Sequence, residues 1–158
     1  MKKYLILLSV LCWFLFQNPA IAQFPQFPQT SGQSIEGTWI SQHTDASGNL
    51  DLAEVGTFSP DGSYTGANVN GLHSTHKGVW QRIGHHKFNL TVLFFTHDPQ
   101  GTFNGIIRAR ILITLSQDLN SYDSVVERTV MDTSGHVLSV TSGIVGHAVR
   151  MEQLSPPE

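Results

Sequence analysis

Residues 87–115, KFNLTVLFFTHDPQGTFNGIIRARILITL, decide the fold class. Two runs rich in Val, Ile, Leu, Phe and Thr flank the letters DPQG at 98–101, which are residue types that a tight turn requires. Apolar side chains alternate along both runs, and a period of two residues is typical of strands. The segment therefore predicts a β-hairpin in which each strand has one apolar face and one mixed face.

Comparable turn signals recur along the chain at 45–49, 60–62, 116–121 and 133–135, and no stretch between them has a helical period long enough for a helix. The strands that they delimit are 37–43, 51–59, 63–70, 77–83, 87–97, 102–115, 122–131 and 136–153. Gly143 is where the last strand could be interrupted. Eight sequential strands with short turns predict an all-β, antiparallel up-and-down barrel, because closure removes both exposed sheet edges.

The N-terminal segment has the pattern of an export signal. Lys2 and Lys3 precede an apolar run at 4–16, and the letters PAIA at 19–22 supply the small residues of a cleavage site. The run is shorter than the ~20 residues of a membrane-spanning helix, so we expect no stable membrane insertion. We predict a signal peptide at 1–22, a flexible Gln/Pro/Ser leader at 23–34, a β-barrel domain at 35–154 and a disordered tail at 155–158. The location is then secreted or periplasmic.

Cleavage would change the charge and the redox chemistry of the chain. Removing 22 of the 158 residues takes away two lysines, the single cysteine and no acidic residue, so the formal net charge goes from −3 to −5. No disulfide or thiol chemistry is then available. The remaining Lys and Arg residues are spread along an acidic chain, which excludes the basic surface that nucleic acid requires.

Both ends of the barrel domain carry a family likeness. Gly37-Thr38-Trp39 opens the first strand and Arg150 lies in the last. This resembles lipocalin-like (calycin) barrels, which begin with Gly-x-Trp and lay an arginine from a late strand across the indole. The resemblance implies a structural closure by Gly37, Trp39 and Arg150, with a cation–π contact of ~1–2 kcal/mol. The blocks EGTW, FSPDGSYT and GHAVRM also resemble a group of small exported bacterial barrel proteins without an established function.

The inward positions of such a barrel predict an apolar lumen. The candidates for ligand binding are Phe58, Trp80, Phe88, Leu90, Phe94 and Ile111. An eight-stranded barrel can be filled by its own side chains or can hold one small ligand, and small residues interspersed along the strands favour a cavity. The first hypothesis is therefore an exported protein that binds a small, mostly hydrophobic molecule in its lumen. A filled-core structural or interaction domain is an alternative.

The other alternative is an isomerase or cyclase of a small hydrophobic substrate, an activity that several calycin-like barrels have. The candidate catalytic residues are Glu54, Tyr64, Trp80 and Arg108. A carboxylate such as Glu54 or Glu127 in an apolar lumen would have a raised pKa and could act as a general acid or base. Arg108 and Arg110 would select an anionic ligand if they faced inward, but the better core stripe on the opposite face favours an outward position.

The histidines suggest metal or haem chemistry only faintly. His73 and His76 form an H-x-x-H pattern in a predicted loop, but two ligands are too few for a zinc or copper site. His147 in the last strand is the type of residue that could ligate haem, and nothing around it supports that reading. The sequence therefore predicts no metal and no cofactor.

Overall fold

The computed structural model describes residues 34–45 and 47–152. The strands within these ranges are β1 Gly37–Thr44, β2 Leu50–Phe58, β3 Ser63–Asn68, β4 His76–Gly84, β5 Lys87–His97, β6 Phe103–Leu115, β7 Ser121–Met131 and β8 Val137–Arg150. The predicted signal peptide, the tail and all of the leader except Ser34 lie outside the described residues, so these parts of the domain division stay predictions.

Each strand pairs antiparallel with the next one, and β8 pairs with β1 to close the barrel. The predicted fold class is therefore confirmed, and the strand limits differ from the predicted ones by no more than three residues. β8 is continuous through Gly143, where a φ of 82° and a register shift opposite Val126 and Arg128 indicate a β-bulge instead of a break. No helix in the described ranges is long and apolar enough to cross a membrane.

Alternation along the strands sorts side chains between the core and the outer surface. In β5, buried positions from Phe88 to Phe94 alternate with exposed ones from Lys87 to Phe95. In β6, Ile107 and Ala109 point inward and are buried. Because a strand presents successive side chains to opposite faces, the inward residues of all eight strands meet in one core.

Aromatic rings fill the barrel where β1 begins and β8 ends, which we call the Trp39 end. The rings of this aromatic cluster belong to Trp39, Phe58, Tyr64, Trp80, Phe88 and Tyr122. Ring centroids lie 4.9 Å apart for Trp39 and Tyr122, and 4.8 Å apart for Phe58 and Tyr64. Such tilted and edge-on contacts are each worth ~0.5–1.5 kcal/mol beyond the burial of apolar area. This half of the barrel interior is therefore packed by its own side chains.

Arg150 closes the Trp39 end. Its guanidinium carbon lies 4.3 Å from the centre of the Trp39 ring, as the resemblance implied. The same side chain donates hydrogen bonds to the carbonyl oxygens of Leu119, Glu36 and Ser34. Gly37 has a φ of 118°, and a Cβ there would meet Arg150 Nη1 at 2.8 Å. Arg150 thus ties the start of β1 to the β6–β7 turn.

Candidate functional site

Polar side chains and a cavity occupy the opposite half of the barrel, which we call the His73 end. The cavity has a volume of about 60 Å³. Its lining residues are His43, Leu52, Glu54, His73, His76, Val92, Phe94, Ile107, Ala109, Ile111, Val126, Arg128 and Ile144. This polar cavity therefore has an apolar wall, made mainly by β5 and β6, and an ionisable wall.

Glu54 is the centre of the ionisable wall. Its side chain points into the barrel and is only 8% exposed. Tyr64 Oη donates a hydrogen bond to Glu54 Oε1 at 2.5 Å, and His76 Nδ1 lies 3.0 Å from the same oxygen. The absence of a side chain at Gly66 makes room for this carboxylate, because a Cβ there would collide with Oε1. The carboxylate is therefore held by residues of β3 and β4, the two strands that follow β2.

Asn68 determines which nitrogen of His76 carries the proton. The Asn70 backbone N–H donates to Asn68 Oδ1 at 2.9 Å, which fixes the orientation of the amide. Asn68 Nδ2 then directs its two hydrogens at His76 Nε2 and His73 Nδ1, at 2.9 and 2.7 Å. Since His76 Nε2 accepts, the proton of the neutral ring is on Nδ1 and is donated to Glu54. A series of hydrogen bonds thus connects Glu54 in the interior, through His76 and Asn68, to His73 in the β3–β4 loop.

Stacking and backbone contacts place this loop over the cavity. The rings of His76 and Phe94 stack with centroids 3.9 Å apart, and His73 lies 4.9 Å from the same Phe94 ring. The Ser74 N–H donates to the Phe95 carbonyl, and the His97 N–H donates to the Leu72 carbonyl. The loop therefore continues the sheet along β5 and keeps the two histidines beside Glu54.

The electrostatic consequences are largest for two tyrosines. Burial raises the pKa of Tyr64 far above its usual range, and the neighbouring Glu54 charge raises this pKa further. Burial also raises the pKa of Tyr122, with a smaller contribution from Glu54. Both phenols are therefore hydrogen-bond donors or acceptors at physiological pH and do not ionise.

The structure brings together two of the four predicted catalytic candidates. Glu54 and Tyr64 are in direct contact. Trp80 belongs to the aromatic cluster, and its indole N–H donates to the Ser59 carbonyl at 3.0 Å. Arg108 is exposed on the outer surface, the position that the sequence favoured, because the β6 alternation turns Ile107 and Ala109 inward; it is therefore not a catalytic group of the lumen.

The second carboxylate considered above, Glu127, also lies outside the lumen. It is 3.3 Å from Arg110 Nη1, and both side chains are substantially exposed. The inward neighbour in β7 is Arg128, whose register partner is the buried Ala109. The sequence could have revealed the inward position of Arg128, because Val126, Arg128 and Val130 follow a period of two residues.

The six predicted ligand-binding residues all lie in the interior but divide between its two halves. Phe94 and Ile111 line the polar cavity. Phe58, Trp80 and Phe88 pack in the aromatic cluster, and Leu90 is buried in the same core. The lumen thus differs from the predicted one, because aromatic rings fill one half and ionisable groups line the other.

The histidine candidates do not form a metal site. His73 and His76 direct a nitrogen each at the Asn68 amide, which lies between them. Within the described ranges no group of three or more His, Cys, Asp or Glu side chains is arranged to hold a metal ion. His147 is on the outer surface, where its Nδ1 is 2.8 Å from Asp123 Oδ1. Asn68, His43 and Arg128 were missed as site residues, since only the closed barrel brings His43 and Arg128 to the cavity and Asn68 to the two histidines.

Two grooves larger than the cavity lie on the outer surface. Exposed apolar side chains such as Val79, Leu112 and Val125 contribute to their lining, and their volumes are about 640 and 470 Å³. Neither groove brings a buried ionisable group to its surface. The polar cavity, although smaller, is the place where burial and ionisable chemistry coincide, which is the usual signature of a functional site.

These features define the class of protein as a closed eight-stranded antiparallel barrel, consistent with a calycin-like barrel. A scan of the chain against models of known protein families finds no match. A search among curated protein sequences finds none either. We therefore infer the function from the residues of the site itself.

Proposed function

We propose that this protein is an exported barrel that binds a small molecule in the polar cavity, with the apolar part of the ligand against Phe94, Ile107 and Ile144 and its polar part toward Glu54. The observation that carries the proposal is the pairing of an apolar wall with a buried carboxylate around one cavity. Ligand sites in proteins are typically apolar with a few placed polar groups.

The cavity volume limits the ligand. A dry cavity of about 150 Å³ accepts benzene, and the polar cavity has about 60 Å³. A ligand that fits without movement of the protein is therefore smaller than benzene, and a larger ligand requires displacement of the β3–β4 loop. This favours a compact molecule over the long hydrophobic chains that an open apolar lumen would hold.

Native mass spectrometry of the protein purified from its own host tests the proposal. We expect a bound small molecule that is lost in Ala109→Leu, because the added side chain projects into the cavity. Ala67→Leu is the matched control, since Ala67 is exposed on β3 and the same substitution there leaves the cavity unchanged. A ligand-free protein from a host that produces the mature chain would favour the filled-core interaction domain instead.

An isomerase or cyclase is the second candidate, and the Glu54–His76 contact favours it. A carboxylate that accepts from an imidazole N–H is an arrangement that can move a proton to or from a bound molecule. If the retained molecule is a substrate, incubation in deuterium oxide should place deuterium at one of its carbon positions, and Glu54→Gln should abolish this exchange. A ligand that returns without deuterium identifies a binding protein.

Export is part of the proposal and rests on the pattern of the first 22 residues. N-terminal sequencing of protein recovered outside the cytoplasm should begin at Gln23. Recovery of the intact chain from the cytoplasm would contradict export but not the binding proposal.

A further inference from the structure

We propose that the ligand of the polar cavity offers a hydrogen-bond donor, an N–H or O–H group, to Glu54 Oε2. The inference rests on the proposed function and deepens it, because it assigns the chemical class of the ligand. Molecules without a donor would fit the same space but would leave this oxygen without a partner.

One oxygen of the carboxylate is already occupied. Tyr64 Oη and His76 Nδ1 both donate to Glu54 Oε1, at 2.5 and 3.0 Å. These are the donors to Glu54 within the described part of the chain, and neither contacts Oε2. Tyr64 and His76 are therefore positioning residues, which hold Oε1 and leave Oε2 for a further donor, and Glu54 is one of the residues that line the cavity.

The position of His76 is itself fixed, so the carboxylate is presented in one orientation. Asn68 holds the Nε2 side of the ring and Phe94 stacks on its face at a centroid distance of 3.9 Å. Preorganisation of this kind lowers the entropy that a ligand must lose on binding.

The environment of Oε2 favours a donor. The cavity wall contains Phe94, Ile107 and Ile144, which cannot solvate a carboxylate, so a ligand that displaces water from the cavity must itself supply a donor to the charged oxygen. The class is therefore a small, mostly apolar molecule with a protic group, such as an azole, an enol or an amide.

Pyrrole and furan are a matched pair of probes, because both are small five-membered rings and only pyrrole has an N–H donor. Binding is followed by the methyl NMR signals of Ala109, Ile107 and Ile144 in the mature protein. We expect pyrrole to bind roughly tenfold more tightly than furan, in line with a hydrogen bond to a charged group.

Glu54→Gln tests whether Glu54 causes the preference. Tyr64 and His76 both donate to one atom, which in glutamine must be the amide oxygen, so the amide N–H₂ replaces Oε2 at the cavity. The preference for pyrrole should disappear or reverse. Glu127→Gln is the control, since the same substitution on the outer surface should leave the preference at its original value.

A second measurement, on the unmutated protein, keeps the inference testable if Glu54→Gln does not fold. In the unmutated protein with ¹³C-labelled glutamate, the Glu54 carboxyl signal should shift with pyrrole and not with furan. Equal affinity for both probes, or a preference that persists in Glu54→Gln, overturns the inference and leaves the proposed function standing. If neither probe shifts the cavity methyls, the proposed function fails and the inference fails with it.

Discussion

The same eight strands form both halves of the barrel, but the two halves enclose different kinds of side chain. Inward positions near Trp39 carry aromatic rings, whereas inward positions near His73 carry Glu54, His43 and His76. Ring faces and edges pack against one another without hydrogen bonds, whereas each buried polar group, such as the Trp80 N–H or the Glu54 carboxylate, needs a partner. Alternation therefore decides which side chains are enclosed, while the residue type decides whether the enclosed space is filled or remains a site.

Phe58→Ala should have the largest effect, because Phe58 contacts three other rings of the aromatic cluster. We expect a loss of about 3–5 kcal/mol in the free energy of unfolding, measured by urea denaturation. Phe95→Ala is the control, since Phe95 is exposed on the same barrel, and we expect about 1 kcal/mol or less there. Similar losses of stability in the two variants would contradict the packing of the aromatic cluster at the Trp39 end.

Arg150→Ala should cost about 1–3 kcal/mol, because it removes the contact with Trp39 and three hydrogen bonds to carbonyl oxygens. Arg110→Ala removes an exposed arginine and its ion pair with Glu127, for which about 0.5 kcal/mol or less is expected. Thermal unfolding compares the two. An unchanged melting temperature in Arg150→Ala would mean that the closure does not stabilise the barrel.

Tyr64→Phe tests the connection between the two halves, because Tyr64 contacts Phe58 in one half and Glu54 in the other. Loss of a donor to a buried carboxylate should cost about 1.5–3 kcal/mol at neutral pH. The raised pKa of Tyr64 also gives an alkaline signature: its contribution is fully present below the unfolded value of 10.0 and declines as the pH rises beyond it. The stability of Tyr64→Phe should therefore fall less steeply above pH 10 than that of the unmutated protein, and equal slopes would contradict this.

The smallest effect concerns the turn that joins β7 and β8. Backbone N–H groups of His136 and Ser134 donate to Asp132 and lower the pKa of its carboxyl group below 3.8. A lowered pKa gives stability that is present above 3.8 and lost as the pH falls through the folded value. Asp132→Asn keeps an accepting oxygen but does not titrate, so acid unfolding should be slightly less steep. An unaltered acid profile would mean that this turn does not contribute.

The fold could be predicted from the sequence because turn residues and two-residue alternation are local signals. The burial of Glu54 followed from its position on the same strand face as Phe58. The Trp39–Arg150 contact followed from the resemblance to lipocalin-like barrels. The contact of His76 with Glu54 could not be predicted, since it forms only through strand register and the placement of the β3–β4 loop, and the same holds for the contact of Asn68 with His76. Nor could alternation show that Phe88 and Phe94, both inward in β5, belong to opposite halves.

Xenon-129 NMR, recorded together with the methyl spectrum of the mature protein, tests whether the cavity is confined to the His73 end of the barrel. Xenon is apolar and enters small cavities whatever the chemistry of the ligand. We expect the methyl signals of Ile107 and Ile144 to shift with xenon pressure, while those of Ile113 and Leu115, which do not line the cavity, stay in place. Shifts of Ile113 and Leu115 without shifts of Ile107 and Ile144 would contradict the division of the barrel into a packed half and a half that holds a ligand cavity.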